Sequence, residues 1–173
     1  MDRIGEFLPF MLEGSVTTVQ VFVLTLVISL PLGLPIALGS NSRFKPLSFL
    51  CKIYVWIFRG TPLMLQLWFF YFFFPFNFGI TFDALTTAVL TYVLNYAAYF
   101  AEIYRGGINS IDRGQYEAAH ALGLSRKQTM FDIILPQTMK AILPPVVNEA
   151  ITLVKDTALV SSLAVVDLMK ATN

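Results

Sequence analysis

The sequence predicts an all-α, polytopic membrane helical bundle, and three observations predict it. Apolar residues make up 56% of the 173-residue chain while charged residues make up only 13%, about half the charge a soluble domain carries. Phe alone occurs 16 times, and that much apolar surface on so short a chain needs lipid rather than one small core. Finally, Lys and Arg alternate from one connection to the next, as they do in chains that cross a bilayer repeatedly. The formal net charge of +1 gives no electrostatic footprint for nucleic acid. The lone Cys51 excludes an intrachain disulfide framework and a cysteine metal cluster, and reads as a small apolar residue.

The elements follow in chain order. Residues 2–13, DRIGEFLPFMLE, carry three acids against one Arg, whereas a cleavable signal opens basic; the first apolar run is therefore expected to stay in the membrane. That run, 16–38, has no charge and is long enough to span, and a membrane helix tolerates its Pro31 and Pro35. A second region, 53–76, is interrupted by Arg59, Gly60 and Pro62; a third covers 84–101; a fourth starts near residue 141 and is broken by Lys155 and Asp156. The stretch 157–166 is too short to span alone. The aromatic run WFFYFFFPFNF at 68–78 reads as lipid-facing surface and interfacial belt. The first connection holds Arg43, Lys45 and Lys52, the second (77–83) holds no basic residue, and the third holds Arg105, Arg113, Arg126, Lys127 and Lys140. Positive residues stay inside, so the N-terminus is expected outside and the loop at about 103–140 inside. No repeat or linker divides the chain, which predicts a single domain, 1–173.

The third connection carries the most chemistry. Residues 110–136 read SIDRGQYEAAHALGLSRKQTMFDIILP. Asp112 with Gln115 predicts a capping-box-like helix start, Gly123 a left-handed C-terminal cap, and Ser125 with Gln128 a second N-cap. Pro136 is expected to stop the second helix. The result is two short helices at a glycine corner, thin along Ala118, Ala119 and Ala121, and neither is long enough to stand alone in water. Docking into another protein's groove would supply the missing stability.

The spacing of Glu117, Ala118, Ala119, Gly123, Ile133, Leu135 and Pro136 resembles in full the EAA signature of ABC importer permeases. The segments FRGTPLMLQLWFFY at 58–71, LNYAAYFAEIYRGGINSIDRGQYEAA at 94–119 and LPPVVNEAITLVKDTALVSSL at 143–163 resemble the polar amino-acid (histidine, glutamine, arginine type) branch. One departure is Ala158, where that branch usually has Ser. The resemblance covers nearly the whole chain from Gly14 and implies a bundle of the type I ABC importer permease kind. It further implies five spans natively, with the last, about 20 residues, missing after Asn173. The implied partners are ABC ATPase subunits docked on Glu117, Ala118, Ala119, Gly123, Leu135 and Pro136, a second permease subunit (identical or homologous), an extracytoplasmic solute-binding protein, a polar amino acid and lipid. The implied location is a bacterial inner membrane. There is no G-x-x-x-x-G-K-[ST], so ATP and magnesium belong to the partner; this chain is expected to be no enzyme and to hold no cofactor or metal. The only histidine, His120, can build neither a triad nor a metal site and reads as an interface residue.

Ionisable groups at membrane depth cost roughly 2.5–3.5 kcal/mol on insertion scales, so each needs a partner or a task. Gln66, Asn95, Glu102, Lys155 and Asp156 are the candidates for a solute path, with Glu149 also charged in the fourth region. Glu102 can instead pair with Arg105 at a helix end, Asn95 can bond a neighbouring helix, and Lys155 can snorkel outward. Asp156 is too short to snorkel, which places it on the path, facing the cationic or zwitterionic head of an amino acid. The rival readings are the same machine for an osmolyte or organosulfur solute, an ion-coupled secondary transporter using Glu102 and Asp156, and a membrane scaffold without transport. The capped double helix with EAA spacing speaks against the second, and charge at depth against the third.

Overall fold

A lipid bilayer offers no hydrogen-bond partner to a bare peptide group, so the chain satisfies its backbone within helices. The computed structural model describes residues 2–160, with side chains from residue 15 onward. The side chains of the acidic opening segment, and residues 161–173 on which the expectation of a missing last span rests, lie outside these. The helices are α1 (Asp2–Ser40), α2 (Lys45–Gly60), α3 (Leu63–Phe78), α4 (Ala84–Asn109), α5 (Arg113–Ala121), α6 (Arg126–Gln128) and α7 (Leu135–Asp156), with a π turn at Thr129–Ile134 and a final 3-10 turn at Thr157–Leu159. Two stretches, Ser15–Ser40 and Ala84–Asn109, are long and apolar enough to cross a membrane, and α2 with α3, bent by 107° at their junction, is a third candidate.

The hub is α4, which packs against α1, α2, α3 and α7. Its partnership with α1 rests on small residues. Val21, Thr25, Ser29, Gly33 and Ala37, every fourth residue of α1, are buried. A Cβ on Gly33 would lie 2.9 Å from Phe100 Cβ and 3.1 Å from the Ala101 nitrogen, so the two backbones are nearly in contact. In lipid no hydrophobic force draws helices together, and close van der Waals packing through small residues takes its place. The hydroxyls of Thr25 and Ser29 have no hydrogen-bond partner among the described residues. At one end of this pair Asn41 Nδ2 donates to Asn109 Oδ1 (3.4 Å). The C-terminal ends of α1 and α4 therefore meet, the two helices run parallel, and α2 with α3 must carry the chain back to the Ala84 end. There Asp83 caps α4, accepting from the Thr86 N–H at 3.2 Å. Hydrogen bonding to the Thr86 side chain, aided by the Thr86 N–H, holds the Asp83 carboxyl below the usual carboxylate range.

The aromatic run keeps its expected face. Trp68, Phe69, Phe72, Phe76 and Phe78 are exposed, whereas Tyr71 turns inward to Leu67, Tyr92, Tyr96 and Phe100 in the core. The loop after α4 differs from expectation in three respects. α4 runs on to Asn109 rather than ending near residue 101. Asp112 caps α5 through the Gly114 N–H (2.6 Å) without Gln115 closing a box; the Gln115 side chain instead accepts from Gln137 at 3.2 Å. Nor does Pro136 stop a helix. α6 passes through the π turn straight into α7, which begins at Leu135 rather than near residue 141. Proline lacks the N–H that would bond four residues back and crowds that carbonyl. A widened π turn immediately before it relieves both demands, and such turns recur at functional places.

Candidate functional site

The break between α2 and α3 lies beside the middle of α4. Thr61 and Pro62 leave the helical conformation, freeing the last carbonyls of α2, and two amides satisfy them. Gln66 Nε2 donates to Phe58 O (2.9 Å), Thr61 O (3.0 Å) and Thr61 Oγ1 (2.7 Å). Asn95 Nδ2 donates to Phe58 O (2.9 Å) and to Gln66 Oε1 (3.0 Å). Each amide thus braces the kink. Such discontinuous helices mark the solute sites of many transporters, because irregular backbone is tolerated at depth only where it is buried or lines a cavity.

A cavity of about 430 Å³ opens against this break, bounded by Arg59, Leu63, Asn95, Tyr96, Glu149 and Asp156, with Thr152 between the two acids. Glu149, Thr152 and Asp156 sit at i, i+3 and i+7 of α7 and share one face, the acids about 10 Å apart along the axis. Asp156 is the last residue of α7 and is held twice. The Tyr96 hydroxyl donates to its Oδ2 at 2.7 Å, and the Tyr92 hydroxyl to its main-chain carbonyl at 2.5 Å. Tyr96 is about 18 Å from the Ala84 end of α4 and about 20 Å from the Asn109 end. The carboxylate therefore sits midway along α4. Across the cavity the Arg59 guanidinium lies 5.1 Å from the centre of the Tyr99 ring, within cation–π range.

Arg59, Gly60 and Tyr99 also wall a second hollow, an open groove of about 550 Å³ between α2 and α4 that reaches Ser40, Lys52, Trp56, Glu102 and Arg105. Glu102 and Arg105 form an ion pair three residues apart. Of the sequence-predicted path residues, Asn95 and Asp156 line the cavity, Gln66 braces the break beside it, Glu102 lines the neighbouring groove, and Lys155 is exposed and lines neither. Sequence reasoning passed over Arg59, Tyr96 and Thr152 as wall residues and noted Glu149 as a charge at depth without placing it on the path. Arg59 carried a signal as a cation inside an apolar region, and the 149/152/156 spacing carried another. The tyrosines carried none.

At its glycine corner the loop is built as two of its three caps predict. Gly123 has φ +74°, Gly123 N–H donates to His120 O and Leu124 N–H to Ala119 O, both at 3.0 Å, which is the double bond of a Schellman ending. The Ser125–Gln128 capping box is complete. Glu117, Ala118, His120, Leu135 and Pro136 are exposed and Ala119 is buried. Leu122 is 78% exposed and Phe131 64%.

Comparison with known proteins agrees with this architecture. Residues 29–173 match the model of the family described as binding-protein-dependent transport system inner membrane component. The chain is 44% identical to the arginine transport system permease protein of Bacillus subtilis, across 94% of this chain and 74% of that protein. It is 39% identical to a putative glutamine transport system permease protein of Rickettsia felis, across 93% and 74%. Among solved structures, a crystal structure of an amino acid ABC transporter with histidines superposes with a TM-score of 0.87 at 36% identity, covering 94% of this chain and 75% of that one. With a parallel α1–α4 pair, a helix broken beside the middle of α4 and a capped loop, the chain belongs to the family of inner membrane components of binding-protein-dependent transport systems.

Proposed function

We propose that this chain is the permease subunit of an ATP-driven importer for cationic polar amino acids, and that the cavity at the helix break is where the solute rests. The observation that carries the reading is its charge count: two carboxylates, Glu149 and Asp156, face one guanidinium, Arg59. An amino acid's carboxylate fits Arg59 and the N-terminus of α3, whose Pro62 provides no side-chain cap, so that its first N–H groups are open to an anion. The α-ammonium fits one acid. The second acid, about 10 Å along α7, then calls for a side-chain cation. The similarity to an arginine permease supports the same class. Glu117, Ala118, Gly123, Leu135 and Pro136 are the proposed contact with a separate ABC ATPase, which would bind ATP and magnesium; Ala119, also expected there from sequence, is buried within this chain and supports the loop from inside. A second permease subunit would complete the path, and an extracytoplasmic binding protein would deliver the solute.

The test is competition in the assembled importer in proteoliposomes. L-arginine and L-lysine are expected to inhibit uptake of labelled L-arginine at concentrations about tenfold lower than L-glutamine or L-glutamate, the penalty of leaving one half-buried acid unpaired being of order 1–3 kcal/mol. Preference for L-glutamate would overturn the charge-count argument. The proposed orientation, N-terminus outside and coupling loop inside, has its own measurement. A cysteine replacing the exposed Lys127, in a Cys51→Ala background, should react with a membrane-impermeant maleimide in inverted vesicles and stay silent in intact cells. Labelling of intact cells would reverse both the topology and the ATPase contact.

A further inference from the structure

The groove beside the cavity has a charge opposite to it. Around the cavity stand two acids and Arg59; around the groove stand Lys52, Arg59 and Arg105 against the single acid Glu102, itself taken by Arg105. Lys52 makes no hydrogen bond or ion pair among the described residues. It lies two turns before Arg59 on the same face of α2, about 10 Å nearer the helix start. That direction is fixed within the molecule. Lys52 and Arg105 lie toward the end where α1 and α4 meet at Asn41 and Asn109, the end from which the loop with Gly123 extends. The groove therefore leads from the cavity beside the middle of α4 to the side on which the ATPase is proposed to dock, the side on which an importer releases its cargo. Arg59 and Tyr99 wall both spaces, so a group held by Arg59 can pass from one to the other without crossing an uncharged gap.

We infer that this groove is a carboxylate-binding exit vestibule, a second station on the solute's path in which Lys52 receives the carboxylate from Arg59. The inference rests on the proposed function of the cavity. A single tight site would trap its cargo, whereas successive weaker sites let it leave. Here the sign of the walls changes along the way. Lys52 attracts the carboxylate onward, and the positive walls give the cargo's cationic groups nothing to hold, so this second station is weak and cargo passes to its open end. A cleft with an excess of one charge raises the local concentration and association rate of an oppositely charged group by about tenfold or more.

The experiment uses the complete importer in proteoliposomes and a series at Lys52: Arg, Gln and Glu. The probe is L-arginine, read both as uptake kinetics and as equilibrium binding to the assembly. The expected order of kcat is wild type equal to Lys52→Arg, then Lys52→Gln, then Lys52→Glu slowest by at least about tenfold, with KM and equilibrium binding within about twofold throughout. The order should be the same in vesicles of phosphatidylcholine alone and in vesicles containing phosphatidylglycerol. Equal kcat across the series overturns the inference. So does a fall in Lys52→Arg matching that of Lys52→Gln, which would make the residue structural. So does an order that appears only with phosphatidylglycerol, which would assign the groove to a lipid phosphate. If the wild-type assembly does not bind L-arginine, it is the reading of the cavity that fails; the same kcat order, measured with whichever amino acid is taken up, still decides the vestibule.

Discussion

Replacing Gly123 by Val is expected to leave an assembled importer that hydrolyses ATP but moves its amino acid at least about tenfold more slowly. Gly123 sits at φ +74°, and a Cβ added there would meet nothing within 4 Å. The penalty is therefore conformational rather than steric. A β-branched residue in the left-handed region costs of order 1–3 kcal/mol, comparable to what a loop of two marginal helices has to lose. The chain would escape the strain by opening the Schellman ending, releasing the bonds from Gly123 to His120 and from Leu124 to Ala119. The corner between α5 and α6 would then no longer be fixed, and a push delivered to α5 would not reach α7. Gly123→Asn, which tolerates the left-handed region, should retain an intermediate rate. Measuring uptake and ATPase activity on the same proteoliposomes separates uncoupling from loss of protein. Wild-type uptake by Gly123→Val would end the coupling assignment.

The second large effect is expected at Asp156. Asp156→Asn keeps the shape, keeps an oxygen to accept from the Tyr96 hydroxyl, and leaves the Tyr92 bond untouched because that one goes to the main chain. What disappears is the charge. Uptake of L-arginine should fall at least about tenfold, since hydrogen bonds to charged groups are worth about 1.5–3 kcal/mol, while assembly with the ATPase and thermal stability in detergent change little. Glu102→Gln is the control. It breaks the partly exposed pair with Arg105, a kind of contact worth about 1 kcal/mol, and is expected to alter uptake far less. If Asp156→Asn transports every accepted solute at the wild-type rate, the residue serves only to fasten the end of α7.

The parts of the molecule written in local chemistry were legible from sequence. Gly123, Ser125 and Gln128 announce their caps because capping depends on neighbours three or four residues away. The uncharged run before Ser40 announces a span because length and apolarity suffice. Pro136 misled because a proline's effect depends on the turn before it, and nothing in the local residues announces a π turn. α4 was cut short at residue 101 because Glu102 and Arg105 look like the end of a span, while in the folded chain they pair with each other and remain helical. At the cavity, Asp156 was legible as an acid with no means of reaching water. Asn95 and Gln66 were legible only as polar residues at depth; that they brace a broken helix follows from the meeting of two elements 29 residues apart. Tyr92 and Tyr96 gave no sign, since an aromatic in a span is unremarkable until the fold brings an aspartate to it.

The run from Arg126 through the π turn to Asp156 has a mechanical consequence. It is a helical run roughly 45 Å long, carrying Pro144 and Pro145 inside it, with the capped loop at one end and an acid at the other. Thr138 and Ile142 are buried, and the absent side chain of Gly107 leaves room for them against α4. That seat is a fulcrum. From Ile142 to Asp156 the arm is about 21 Å, so a tilt of only about 5° displaces the carboxylate by about 2 Å, enough to part a 2.7 Å hydrogen bond to Tyr96. The α1–α4 pair, pressed together at Gly33, gives the lever a stationary bearing. A movement too small to disturb the packing at the seat is thus large enough at the far end to open or close the grip on a solute.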